Sequence, residues 1–392
     1  MAVHRGNGSV AASGGTLLEM IRSTPEGLTR AEILERTGMS RTTLVARLDS
    51  LRAAGLTHEG ATRSSTGGRP AQYIRFDDRD RVVLGLEMGH HVVRAAVLSA
   101  SGQVLERAEI PRHDSSRVLR DVEDLADLGR SLLARRASAR LVGVGIGVPA
   151  PVEMTKGVLW RSVAVPEDSV PILETLADRF GTLVVMENDA RALALGAAED
   201  AAAIEEDDVL LALKYSTGIG AGIITGTHIM RGATGSAGDI GHMRVGSEGP
   251  VCTCGNRGCL AAYSSGRALL SRLDREDLVD VDDLARSFEL GDTEVVAAVR
   301  TACTVLGRAV AGLLHAANPR VLCIGGELGR VPGISDLIQE SIRLNSSERV
   351  HGAITVTGSD QETTLRGIAV LVMREAFSVQ RIDDQLAALP TD

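Results

Sequence analysis

Aromatic side chains make up only 2% of the 392 residues, with a single Trp, and lysine occurs only at Lys156 and Lys214. Cores must therefore be packed with Ala, Val, Leu and Ile, and there is no aromatic platform on which unpaired bases could stack. Long apolar runs are missing too. No stretch approaches the ~18 unbroken apolar residues of a membrane span, and residues 1–15 lack the apolar centre of a signal peptide and read as a polar, disordered start. These absences point to the cytoplasm, where thiols stay reduced. In that compartment three cysteines within eight residues, Cys252, Cys254 and Cys259, point to metal ligation before disulfides. Cys303 and Cys323 lie in apolar runs and read as core residues.

The chain does have enough hydrophobic residues, 44%, to build two or three domains, and its length is too great for one ordinary core. Its net charge of −9 conceals an asymmetry. Residues 1–76 hold ten Arg against six acidic residues, a balance of +4, which leaves −13 on the remainder. A small basic unit on a large acidic body suits a reader of double-stranded DNA whose other part is repelled by phosphate.

Three helices are predicted in that basic segment. Residues 16–23 form the first, ending before Pro25. Thr29 opens the second, with Glu32 three places on in a capping-box pattern and Ala31, Ile33 and Leu34 on its buried side. Gly38 makes the turn, and Ser40 caps a third helix with apolar Leu44, Val45, Leu48 and Leu51. This is a helix-turn-helix, whose second helix enters the major groove by its N-terminal turns. Ser40, Arg41, Thr42, Thr43 and Arg47 are the candidate base and backbone contacts, since Arg pairs bidentately with guanine and Thr offers a hydroxyl and a methyl. Two short strands flank a Gly- and Arg-rich tip that reads as a wing, with Arg63 and Arg69 along phosphates or in the minor groove. The winged helix-turn-helix thus spans residues 16–76, and a charged hinge follows at 77–80.

From residue 81 the pattern becomes α/β. Residues 81–87, 92–99 and 103–110 read as strands, 118–135 as a helix and 141–148 as a buried strand. Residues 212–225 repeat the layout of 85–98, an apolar strand, a Gly-containing turn and a second apolar strand. Two lobes result, the first about 81–190 plus the C-terminal helix and the second about 191–360, with a cleft between them.

Gly238-Asp239-Ile240-Gly241-His242 followed by Cys252-Thr-Cys254-Gly-Asn-Arg-Gly-Cys259-Leu260 resembles the signature of the ROK (repressor, open reading frame, kinase) family. Glu187-Asn188-Asp189-Ala190, Ser216-Thr-Gly-Ile-Gly-Ala-Gly222 and Gly325-Gly326 extend the resemblance over nearly the whole chain. It implies a ribonuclease-H-like (actin/hexokinase) fold, a homodimer or tetramer on a palindromic operator, and a sugar site in the cleft; the fused winged helix marks the regulator branch. The spacing His242-x9-Cys252-x-Cys254-x4-Cys259 matches a closed, tetrahedral Cys3His structural site for Zn2+.

The family's kinases carry Asp-x-Gly-Gly-Thr in the first hairpin to hold ATP phosphates; here Glu87-Met88-Gly89-His90-His91 stands there, adding bulk to a phosphate cradle. A catalytically silent sensor is therefore expected, with Asp189 as a vestigial general base. The resemblance places effector contacts at Asn188, Asp189, Asp239 and His242. Position 239 is Asp where Glu is usual, Ala261 replaces a carboxylate, and Arg191 stands where Asn is common. Fewer acceptors and one more cation than a glucose-type site point to an anionic effector such as a sugar phosphate, with Arg191 among its contacts. The competing readings are an active ATP-dependent sugar kinase with an accessory DNA-binding domain, and an orphan regulator that binds no sugar.

Overall fold

The computed structural model describes residues 13–62, 72–112, 117–153, 158–159, 165, 171–201, 205 and 207–388. The chain divides into two compact units, Met1–Arg81 with Met373–Asp392, and Val82–Val372.

The smaller unit runs α1 (Gly14–Arg22), β1 (Leu28–Thr29), α2 (Arg30–Thr37), α3 (Arg41–Ala53), β2 (Thr57–Thr62) and β3 (Gln72–Phe76). This is the element order of a winged helix. The local signals fix the boundaries. Thr29 and Glu32 make both halves of the capping box, and Gly38 ends α2 with φ +66°. Ser40 Oγ accepts the Thr43 amide at the head of α3, 3.1 Å away. Leu17, Leu18, Ile21, Ile33, Leu44, Leu48, Leu51, Leu56 and Ile74 form the core. The sheet order is β1-β3-β2, so the hairpin expected from the sequence gains a third strand through Leu28 opposite Ile74.

Several expectations are corrected here. Ser13 caps α1, and Gly14 and Gly15 are helical and buried, so order begins earlier than residue 16. Ala31 and Val45 are exposed, not core. Of the two helices after residue 360, Thr363–Ala376 sets Leu365, Ile368 and Val372 against Gly85, Gly145 and Gly143 of the first lobe, whereas Val379–Ala387 groups with the smaller unit. The latter seats α1 closely. A Cβ on Gly15 would run into the Val379 carbonyl, and the Gly15 amide donates to Asp383 Oδ1 at 2.8 Å, which satisfies one of the helix's unpaired N–H groups. Phe377 meets Phe76 edge-on at 4.9 Å between centroids, and the Arg22 and Arg81 guanidinium groups lie over both rings. Burial pulls the Arg22 guanidinium down to about 10.

The larger unit is duplicated. Its first half runs β4 (Arg81–Met88), β5 (Val92–Ser99), β6 (Val104–Pro111), α4 (Val118–Ala134), β7 (Arg140–Val148), β8 (Val152–Glu153), β9 (Val158–Leu159), α5 (Ile172–Phe180), β10 (Val184–Asn188) and α6 (Asp189–Asp200). The second runs β11 (Val209–Tyr215), β12 (Ile219–Thr225), β13 (His228–Ile229), α7 (Leu260–Ser264), α8 (Gly266–Leu273), α9 (Val281–Glu289), α10 (Thr293–Ala317), β14 (Val321–Gly325), α11 (Ile334–Asn345), α12 (Glu348–His351), β15 (Thr355–Gly358) and α13 (Thr363–Ala376). The two five-stranded sheets have matching orders, β6-β5-β4-β7-β10 and β13-β12-β11-β14-β15. In each an antiparallel meander continues into parallel strands. The repeat read from the two hairpins therefore extends through both sheets. Each lobe has its own aliphatic core, and Cys303 and Cys323 are buried as expected. Helix α10 is long and apolar enough to cross a bilayer by length and composition. Its buried stripe, Val295, Val299, Leu306, Val310 and Leu314, belongs instead to the second lobe's core.

The seating of α1 makes a prediction. Gly15→Ala should cost about 1–3 kcal/mol by overpacking, and Asp383→Ala about 1 kcal/mol through the lost hydrogen bond, both read as a lower denaturant midpoint. A parental midpoint for Gly15→Ala would contradict the packing described.

Candidate functional site

Two places bring together residues that the sequence singles out. The first is the leading edge of α3. Ser40, Arg41 and Thr42 are exposed, whereas Thr43 and Arg47 are half-buried. The Ser40 hydroxyl also meets the Thr43 and Thr42 hydroxyls at 2.8 and 3.2 Å, so these three side chains are partly committed to the cap. Val45, at 48% exposure, joins Arg41 and Thr42 on the free face. The sequence reading missed it because one β-branched residue beside Leu44 fits either side of a helix. Arg63 and Arg69 lie outside the described residues.

The second is a cavity of about 1070 Å³ within the larger unit, lined among others by His90, Ala150, Asn188, Asp189, Lys214, Thr217, Asp239, His242, Ala261 and Arg267. Its floor is the β10–α6 junction. Asn188 caps α6, its Oδ1 accepting the Ala190 and Arg191 amides at 3.1 and 3.2 Å while its Nδ2 donates to the Ala150 carbonyl at 3.1 Å. Asp189 Oδ1 accepts the Ala190 amide at 2.7 Å, and Oδ2 accepts Lys214 Nζ at 2.5 Å. Lys214 was not among the sequence-predicted residues, yet it pairs with the Asp189 carboxylate.

Around that pair lies a buried charge network. Arg94 stands 3.5 Å from Glu87 and 3.6 Å from Glu327. Burial opposes charge on Glu327, but Lys214, the Ser216 hydroxyl and Arg94 outweigh it and hold the carboxyl down to about 2. Burial pushes Glu87 up, against the pull of Arg94 and Lys214. In the first-hairpin turn the Gly89 amide donates to the Val92 carbonyl at 2.9 Å, and Arg112 Nη1 donates to the Gly89 carbonyl at 3.0 Å.

Arg191 borders the cavity but is 1% exposed, and its guanidinium donates to Glu187 Oε1 at 2.6 Å and to the Gly235 and Val152 carbonyls at 2.6 and 3.0 Å, which leaves it little to offer a ligand. Ala261 lies on the cavity wall, where a carboxylate is therefore missing.

Beside the cavity a one-turn helix, Ile240–His242, and the following knuckle gather His242, Cys252, Cys254 and Cys259, all ligand atoms lying within 4.8 Å of one another. Cys254 and Cys259 Sγ are 3.7 Å apart, and Cys252 Sγ is 3.5 Å from His242 Nδ1. A tetrahedron with metal–sulfur bonds of about 2.3 Å has edges of about 3.8 Å, so the donor set fits a four-coordinate ion of borderline-soft character. His242 Nε2 points the other way, 3.9 Å from Asp239 Oδ1, so one ring joins the knuckle to the cavity.

A duplicated, two-lobed α/β body with a cleft between its lobes is of the sugar-kinase type, and here it follows a unit of three helices and a three-stranded sheet. The chain belongs to the ROK family, whose profile matches residues 83–375. A xylose repressor from Bacillus spizizenii is 27% identical over 339 residues, 86% of this chain and 86% of its own length. A glucokinase from Thermotoga maritima is 30% identical over 275 residues, 63% of this chain and 82% of its own. A solved ROK family transcriptional regulator, homologous to the E. coli MLC protein, shares the fold with a TM-score of 0.77 at 21% identity, covering 95% of this chain and 98% of its own. The repressor and regulator comparisons thus reach further along this chain than the glucokinase does.

Removing the buried guanidinium should be expensive. Arg191→Ala leaves Glu187 buried with one remaining ion-pair partner, Arg231, and should destabilise the larger unit by about 3–5 kcal/mol. An unchanged melting temperature would show that Glu187 is accommodated without it.

Proposed function

We propose that this protein is a cytoplasmic, sugar-responsive transcriptional repressor that reads a palindromic operator as a dimer and binds its effector without phosphorylating it. The observation that carries this reading is the exposed Arg41–Thr42–Val45 face of a capped helix in a winged-helix unit. In groove-entering geometry Arg41 offers a bidentate guanine contact, and Thr42 and Val45 offer methyl groups for thymine. Arg47, half-buried on the flank of α3, suits the edge of the groove, Ser40 and Thr43 hold the helix start, and Arg63 and Arg69 follow the phosphate backbone.

The silent cleft is supported by three features of the larger unit. The turn at residues 87–91 spends its Gly89 amide internally, His90 takes space beside it, and Lys214 holds Asp189 as an ion pair. A paired carboxylate is a poor base, because taking a proton would break a buried ion pair. Asn188, Asp189, Asp239 and His242 remain suited to hydroxyls of a sugar-type ligand. An effector changes operator affinity only through differential binding to two states, with couplings of about 1–3 kcal/mol typical.

Zinc is the ion that best suits the knuckle. It would be held by His242, Cys252, Cys254 and Cys259, with no position left open for water, and its contribution is structural. It ties the loop that frames the cavity to the start of α7.

Arg41→Ala should lower affinity for a selected operator by about 1–3 kcal/mol while leaving random DNA less affected, and the same protein should release no ADP from ATP and hexose. Equal losses on both DNAs, or steady ATP turnover, would favour the accessory-domain kinase. Cys254→Ser should reduce bound zinc from one equivalent to a small fraction by elemental analysis and lower the melting temperature. Full zinc occupancy in that variant would rule out this ligand set.

A further inference from the structure

One wall of the cleft carries groups that the sugar-type contacts leave unused. Arg267, in the first turn of α8, lines the cavity and has no carboxylate partner among the described residues. The more deeply buried arginines of this unit all face acids: Arg191 faces Glu187, Arg112 faces Asp121 and Arg94 faces Glu87. Arg267 instead donates to Nδ1 of His90, 3.3 Å away. Because a guanidinium only donates, Nδ1 is the acceptor, and the ring proton of a neutral His90 sits on Nε2. Burial pushes His90 down to about 3, with Arg267 and Lys214 adding to the effect, so the ring is neutral at pH 7. Thr217 lines the same cavity at 4% exposure, and its hydroxyl has no hydrogen-bond partner among the described residues. The result is a fixed guanidinium, an imidazole N–H and a hydroxyl, all donors and carrying one uncompensated positive charge. A partly dehydrated guanidinium without a counter-charge is costly, and an anionic ligand removes that cost.

We propose that Arg267, His90 and Thr217 form the seat for the phosphoryl group of a phosphorylated sugar, whose hydroxyls reach toward Asn188, Asp189 and Asp239. This deepens, and rests on, the reading of the cleft as an effector site. It also gives the anionic effector a basis other than Arg191, whose guanidinium is already engaged. Of the carboxylates on the cavity wall, Asp189 is matched by Lys214, and Asp239 is assigned to the sugar hydroxyls. A nucleotide fits less well. Its polyphosphate brings further negative charges to a seat that holds one unpaired guanidinium.

The test is titration calorimetry on the full chain with glucose, xylose, glucose 6-phosphate, inorganic phosphate and ADP, alongside operator-release assays with each. Glucose 6-phosphate should bind at least tenfold more tightly than glucose, and inorganic phosphate should compete with it. Arg267→Gln should weaken the ester at least tenfold, and Thr217→Val severalfold, with zinc content unchanged. Equal affinity for ester and parent sugar, or an ester affinity that survives both substitutions, overturns the seat while the effector reading stands if a neutral sugar still releases operator. Tightest binding of ADP or of inorganic phosphate overturns the sugar-phosphate assignment. Silence from every ligand overturns the seat and the effector reading together.

Discussion

A buried ion pair, Arg191 with Glu187, organises the centre of the larger unit. Glu187 is wholly buried near the end of β10, and Arg191 lies one helical turn away in α6. Because β10 feeds directly into α6, the pair staples strand to helix. The remaining guanidinium donors reach Val152 and Gly235, segments far apart in sequence that both border the cavity. Glu187 also takes Arg231 at 3.0 Å. A buried pair of this kind adds little to stability over an apolar alternative, but it enforces one arrangement because losing either member strands a charge. Here that arrangement fixes where Asn188 and Asp189 stand.

The duplication explains the second charge cluster. Glu87 on β4 and Lys214 on β11 fall at matching positions of the two repeated hairpins, opposite Arg94 and Gly220 respectively. The strands that open the two lobes therefore deliver opposite charges to the region where the lobes meet. Lys214 takes Asp189, and Glu87 shares Arg94 with Glu327. The region where the lobes meet is thus filled with the chain's own counter-charges.

What could be read from the sequence was what is local in sequence. The Thr29–Glu32 capping box, the Ser40 cap, the Gly38 turn and the cysteine spacing involve partners only a few residues apart, so residue order alone determines them. The hairpin repeat was visible for the same reason, and its extension to whole sheets follows from how a hairpin continues into parallel strands. The engagement of Arg191 was not legible because its partners at Val152 and Gly235 lie about forty residues away on either side, and an arginine beside a ligand motif looks like a ligand. Lys214 sits in an apolar strand with nothing nearby to announce Asp189, twenty-five residues earlier. The docking of the C-terminal helix on α1 joins positions 368 apart, and the two glycines that permit it carry no side-chain signal.

The two units are joined covalently where β4 begins and within α13, whose residues from Met373 onward group with the smaller unit. In the larger unit α13 crosses α6 at contacts so close that a Cβ on Gly196 or Gly367 would meet the facing carbonyls of Thr363 and Ala192. Helix α6 is the one that begins at Asn188 and Asp189. Past Met373 the same chain supplies Phe377 and Asp383, which hold α1 of the winged helix. The energies on this route are small: about 1 kcal/mol for the Asp383 hydrogen bond and about 0.5–1.5 kcal/mol for an aromatic pair such as Phe76 with Phe377. Each of these contacts belongs to one unit, so a substitution at any of them changes that unit's own stability by an amount of this order.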